Sequence, residues 1–201
     1  MLLARPYPAN LPTVPACYDC NRSFQKDDDY TASVIAQDVR AFGNRTARAR
    51  MEVLTRALTR PDAAGFAAYL KGQTNFTRVL GVDGQPLGAM IDVDRERVDA
   101  TGEHIVRGLF FYEAKKVVSA TATVRVGGKP GVGATDAAVQ QFAKLYATWP
   151  ERRSRDVGDG FSYVAVSSGT GHSIWLLVLY EYFVWIVTIT EEALHRPRVD
   201  A

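Results

Sequence analysis

Cys17 and Cys20 are the two cysteines of the chain, and they share one short run, Pro15-Ala16-Cys17-Tyr18-Asp19-Cys20-Asn21. Two thiolates three residues apart on a tight turn can reach one metal ion, with the intervening backbone amides offsetting part of their charge. The same spacing also serves thiol–disulfide exchange when it opens a helix, and two small side chains can simply pack. Asn21 adds an amide where the chain leaves the turn. It is a candidate metal-proximal residue, or else a helix N-cap ahead of Asp27-Asp28-Asp29, whose charge suits a helix start. Two thiolates do not close a zinc site, because structural zinc is almost always four-coordinate.

The histidines do not complete it. Glu103-His104 falls on a predicted helix whose core face runs through Ile105 and Leu109, so His104 flanks packing, and only a fold-back of the chain would bring it to the cysteines. His172 belongs to a glycine-containing turn, and His195 to a charged tail. The glycine loop from 127 to 133 does not match a phosphate loop, since Lys129 is followed by Pro130 rather than Ser or Thr. It reads as a strand-to-helix connection. Between Arg40 and Arg60 lie six arginines against one acid, Glu52. Arg45, Arg48, Arg56 and Arg60 fall on the helix side opposite Met51 and Leu54, and form either a solvated face or a grip on a phosphate backbone.

A length of 201 residues suits one domain, or one domain with a small appendage, and 47% hydrophobic with 23% charged residues is ordinary for a soluble protein. A net charge of +2 does not by itself argue for nucleic acid. No secretory signal is visible, and two cysteines confined to one run do not make a disulfide-stapled secreted fold, so the cytoplasm is the expected location. Ile174 to Ile189 is nearly all apolar, but it is shorter than the roughly 20 residues a bilayer needs and is interrupted by Glu181. Two buried strands are the better reading, and no membrane partner is expected.

Residues 1–16 hold four of the nine prolines and are expected to be extended. Ile35, Val39 and Phe42 then suggest a helical stripe ending at Gly43. A second helix from about Arg45 places Ala47, Met51, Leu54 and Leu58 on one face, and Pro61 suits the first turn of a third, with Phe66, Tyr69 and Leu70. Residues 79–93 read as a hairpin around Gly81–Gly84. Asp94 can cap a helix bearing Val98, Ile105, Leu109 and Tyr112. A strand over 117–126 and a helix with Val139, Phe142, Tyr146 and Trp149 follow. Three strands close the chain, at 161–167, 173–180 and 182–189. The class is α+β: a small Cys-bearing entry segment, a helical segment and an antiparallel-sheet domain, divided as 1–43 and 44–201.

The run from Asn10-Leu11-Pro12-Thr13-Val14 through Cys17-Tyr18-Asp19-Cys20-Asn21-Arg22 resembles the second half of an HNH endonuclease motif, the ββα-metal or His-Me finger. In that family an Asn-Leu pair ends a loop, a short strand leads into C-x-x-C, and His or Asn follows directly. The resemblance implies Asn10 as the loop-fixing asparagine, Cys17 and Cys20 as half of a structural zinc site, and Asn21 at the position nearest a catalytic Mg or Mn. It is narrower toward a bacterial HNH-type group that shares the Pro-rich run, the step Asp28-Asp29-Tyr30 and the stretch from Ile105 to Phe110. It implies DNA as partner. The family's general-base histidine and first C-x-x-C lie upstream of Asn-Leu, and the nine residues before Asn10 contain neither His nor Cys. The expectation is therefore an HNH-like chain that is inactive as given, its zinc site completed by a second chain or by upstream residues lost through an internal start at Met1. An in-frame C-x-x-C and Glu-His in the upstream DNA are expected in the latter case. A non-enzymatic binding or assembly protein with a vestigial knuckle is the alternative.

Overall fold

Along the last strands, side chains alternate between buried and half-buried positions, the signature of a sheet packed on one face. The computed structural model describes residues 2–80, 86–127 and 135–191. Its elements are α1 (Tyr18–Ala36), α2 (Arg45–Leu58), α3 (Ala64–Gln73), β1 (Thr74–Leu80), β2 (Pro86–Ile91), α4 (Arg95–Ala114), β3 (Thr123–Gly127), α5 (Asp136–Thr148), β4 (Glu151–Asp156), β5 (Phe161–Ser167), β6 (His172–Leu179) and β7 (Phe183–Thr190). The fold is α+β. β1 and β2 form a hairpin, and the other five strands form an antiparallel sheet in the order β3-β7-β6-β5-β4.

The inner face of that sheet carries Tyr163, Trp175, Leu177, Leu179, Phe183, Trp185, Val187 and Ile189, all buried. Against it lie α4, through Val98, Val106 and Leu109, and the second half of α1. Leu3, Tyr30, Ala47 and Phe161 belong to the same cluster, so one core draws on residues from both sides of position 43. On the opposite face Val166 is buried, and α5 contacts β5 and β6 there with Phe142 buried as well. Between β6 and β7 the chain turns through Tyr180 and Glu181, both in the left-handed region at φ 52° and 66°. That turn divides the apolar run 174–189 into two strands. No described helix is long and apolar enough to cross a membrane.

The second half of α1 enters the core end-on. Tyr30 through Ala36 are buried on every side of the helix, not along one stripe. Small residues (Thr31, Ala32, Ser33, Ala36) let neighbours approach closely, and their hydroxyls are satisfied: Thr31 and Thr101 pair at 2.9 Å, and Ser33 donates to Asp29 O at 2.5 Å. The expected stripe through Ile35, Val39 and Phe42 is not one helix. Asp38 takes extended backbone and caps a 3-10 turn over Val39–Ala41, which leaves Val39 and Phe42 exposed. The expected strand over 117–126 shortens to β3, because Lys115 ends α4 in the left-handed region (φ 54°) and an irregular stretch follows.

β4, of sequence Glu-Arg-Arg-Ser-Arg-Asp, was not foreseen. It contains no apolar residue and lies at the sheet edge, where charged side chains discourage further pairing. The hairpin expected over 79–93 starts earlier, at Thr74, and ends at Ile91, and Pro61 opens a 3-10 turn ahead of α3 instead of α3 itself; the remaining expected elements form close to where placed, with Asn44, Asp94 and Thr135 as N-caps. Asn44 also donates to Asp159 O at 2.6 Å and to Glu181 Oε2 at 3.0 Å, docking α2 on two sheet turns. Gly160 makes that approach possible, since a Cβ there would lie 2.8 Å from Thr46 Cγ2. The hairpin turn at 81–84, the glycine loop over 128–133 and His195 lie outside the described residues.

The alternation in β6 sets a test. Leu177→Ala, on the inner face, is expected to cost about 2–5 kcal/mol in urea denaturation. Leu176→Ala, half-buried on the other face, is expected to cost clearly less; the reverse order would contradict the register.

Candidate functional site

The N-terminal segment is fixed before it reaches the cysteines. Asn10 Nδ2 donates to Asp156 O at 2.9 Å, and Asn10 O accepts from Arg155 Nη1 at 3.3 Å, tying the loop to the edge strand β4. Tyr180 holds the start of the segment by donating to Leu2 O at 2.5 Å. Residues 11–17 run on without forming the short strand expected before the C-x-x-C.

The C-x-x-C is the first turn of α1. Cys17 is the N-cap: its backbone is extended, its Sγ accepts from Cys20 N–H at 3.0 Å, and its carbonyl accepts from Asn21 N–H at 3.0 Å. The two cysteines are joined as a disulfide, their Cα atoms 5.3 Å apart and both residues exposed. With the helix starting here, Asn21 lies inside its first turn and is not the cap. Asp27-Asp28-Asp29 likewise fall at mid-helix and do not form a helix start.

Each of the three aspartates has a basic partner on another element. Asp27 Oδ1 accepts from Arg97 Nε on α4 at 2.8 Å, and Asp29 Oδ1 accepts from Arg50 Nη2 on α2 at 2.7 Å. Asp28 Oδ1 lies 2.8 Å from His104 Nε2 on α4. Arg97 also donates to Lys26 O at 2.6 Å and lies over the Tyr30 ring at 4.5 Å. Burial pulls the Arg97 guanidinium down, but its bonds to Asp27 and Tyr69 outweigh that and hold it above the usual arginine value. Burial raises the Tyr30 phenol, against the opposing hydrogen bond its oxygen accepts from Asp94 N–H at 2.7 Å.

α4 lies along α1 and brings His104 to Phe24 and Asp28, not to the cysteines, while Glu103 pairs with Arg107 on its own helix. His104 stacks on Phe24, with ring centroids 4.4 Å apart and planes 17° from parallel, and its Nδ1 is buried with no hydrogen-bond partner among the described residues. An unmet buried polar atom costs about 1–3 kcal/mol. Cys17, Asn21, Phe24 and Asp28 recur at helical spacing along one face of α1. Asn21, Phe24, Asp28 and His104 all line one cavity of about 310 Å³ under the N-terminal segment. Sequence reasoning set His104 aside because contact between α1 and α4 is not visible in either helix alone. The run of three acids was the available signal, because a buried helix cannot leave such charges without partners.

Among the described residues, no group of three or more His, Cys, Asp or Glu side chains could hold a metal ion. Cys17 and Cys20, disulfide-bonded here, would supply two thiolates on one turn only once reduced, and two do not by themselves fit a closed tetrahedral zinc site. Arg45, Arg48, Arg56 and Arg60 are exposed, the first three on α2 and Arg60 just beyond it, whereas Arg50 turns inward to Asp29 and Arg40 pairs with Asp38 at 2.6 Å. Arg56 folds back onto Glu52 O at 3.2 Å. No family model, curated protein or solved structure matches the chain.

The carboxylate-to-base ties set the next test. Asp29→Asn weakens the hold on the buried Arg50 guanidinium and is expected to cost about 1–3 kcal/mol, moderated by the partial exposure of Asp29. Asp19→Asn, on the exposed first turn, is expected to stay within about 0.5 kcal/mol. Equal costs in denaturant titrations would remove the ties as a determinant of the α1 position.

Proposed function

We propose that the chain is an HNH endonuclease-like protein, related to metal-dependent hydrolases of DNA phosphodiesters, and that the polypeptide of this sequence does not cleave DNA by itself. The observation that carries this reading is the convergence of Cys17 and Cys20 on the first turn of a 19-residue helix, with Asn21 next in line. The finger needs that corner for its second pair of zinc thiolates and its metal-proximal residue. Asn10, bonded to β4 across the loop that enters this corner, supports it too.

On this reading the Cys17–Cys20 disulfide is first reduced, and zinc then takes two donors from the thiolates and the others from outside the described residues, such as a second chain. Zinc then braces the corner, and a Mg or Mn ion beside Asn21 is the group on which a complete finger relies for charge stabilisation at the scissile phosphate. The four exposed arginines of residues 45–60 provide the phosphate contact, as point charges that read no sequence. The protein works in the cytoplasm. A second reading is a thiol pair acting by reversible oxidation, which the Cys17–Cys20 disulfide favours. Reduction followed by zinc separates the two, since a metal knuckle retains zinc against mild oxidant and a thiol pair gives it up on reoxidation.

Purified alone, the chain is expected to leave supercoiled plasmid intact with either Mg or Mn. It is expected to bind duplex DNA weakly, with an affinity that falls steeply with salt. Changing Arg45, Arg48, Arg56 and Arg60 together to Gln should flatten that salt dependence. Metal-dependent nicking that survives the Cys17→Ser, Cys20→Ser double change would contradict the proposal, as would a salt slope unmoved by the arginine changes.

A further inference from the structure

The edge of the sheet at β4 has properties that the nuclease reading does not use. Val157 N–H donates to Phe161 O at 2.9 Å, so these two residues are a hydrogen-bonded pair at the end of the β4–β5 hairpin. Such pairs alternate along an antiparallel ladder. In the register that sets Arg153 opposite Ala165 and Arg155 opposite Tyr163, the odd-numbered residues of β4 therefore bond to β5. Arg152, Ser154 and Asp156 turn their backbone N–H and C=O groups outward. Asp156 agrees, because its carbonyl accepts from Asn10 Nδ2 at 2.9 Å. Arg152 O is met by the guanidinium of the adjacent Arg153 at 2.9 Å, and Ser154 bonds to no other element among the described residues.

The side chains decide what such an edge can pair with. Glu151 to Ser154 are exposed, and the three arginines lie between two acids, Glu151 and Asp156, at the ends of the strand. Arg152 lies over the Tyr146 ring at 5.3 Å, and Arg155 over the Tyr112 ring at 5.0 Å. Lys115 Nζ shares the Tyr112 ring at 4.6 Å, and Glu113 is the neighbouring acid, 3.8 Å from Arg153 Nε. A second copy paired antiparallel over the whole strand would set Arg152 opposite Arg155 and Glu151 opposite Asp156, like charge against like. We propose that β4 takes up an extended acidic segment of another protein as a further strand of the sheet. Its backbone bonds to Arg152 and Ser154. Its carboxylates meet Arg152 on one face and Arg153 and Arg155 on the other. Asn10, already bonded to Asp156 O, ends the docking edge. This inference goes beyond the nuclease reading and is independent of any metal at Cys17 and Cys20.

The test uses the full chain and two end-blocked peptides, Thr-Glu-Val-Glu-Glu-Thr and the same sequence with Lys in place of Glu. Titrations followed by backbone amide shifts are expected to place the acidic peptide at β4, bound at least about tenfold more tightly than the lysine peptide. Ser154→Pro removes one outward N–H, a change that an edge strand tolerates. It should weaken the acidic peptide about fivefold, the loss of one net hydrogen bond. Changing Arg152 and Arg153 together to Glu leaves the backbone edge in place and should reverse the preference between the peptides. Four outcomes would each overturn the proposal: no binding or equal binding of the two peptides, shifts that map away from β4, a preference unmoved by the arginine changes, or a single-stranded oligonucleotide bound at β4 more tightly than the acidic peptide.

Discussion

Successive residues of a helix point about 100° apart, so three consecutive aspartates in the middle of α1 cannot share one neighbour. Asp27 reaches Arg97, Asp28 faces His104 and Asp29 reaches Arg50. Two of those partners belong to α4 and one to α2, so a single three-residue step ties α2 and α4 to α1. The step also marks a change in environment: Cys17 to Lys26 are all exposed, and Tyr30 to Ala36 are all buried. Asp27 and Asp29 are paired with arginines at this boundary, beyond which the second half of the helix enters the core, and the first half projects with the cysteines at its tip.

That arrangement explains what could be read from the sequence and what could not. The sheet was legible because its strands alternate in the simple way that one buried face requires. The run from Ile174 to Ile189 divided correctly at Glu181 because a charge inside an apolar run marks a turn. α2 was legible because Ala47 and Leu54 repeat at helical spacing. α1 was misread because burial there runs end to end rather than along a face, and small residues such as Thr31 and Ser33 carry no hydrophobic signal. β4 escaped for a related reason: an edge strand of arginines and acids is specified by its pairing with β5, and pairing leaves no mark on composition.

At the candidate site the sequence located the parts of one helix but not their neighbour. Cys17, Cys20 and Asn21 were found because their spacing is chemical. His104 was discounted because its spacing is that of packing; it joins the site only through the antiparallel contact of α4 with α1. Asn10 had an expected loop-fixing role, and its bond to Asp156 O ties that loop to a strand that the sequence had not disclosed. One face of α1 therefore carries both features discussed above, an exposed cysteine pair at the tip and, toward the core, an apolar cavity walled by an oriented imidazole.

The central claim is that Cys17 and Cys20 are half of a zinc site. X-ray absorption at the zinc edge, on reduced protein loaded with one equivalent of zinc, tests it most directly. The account predicts sulfur in the first shell at about 2.3 Å, lost when both cysteines are changed to serine. A first shell of nitrogen and oxygen alone, or a spectrum that the serine changes leave as it was, would contradict it.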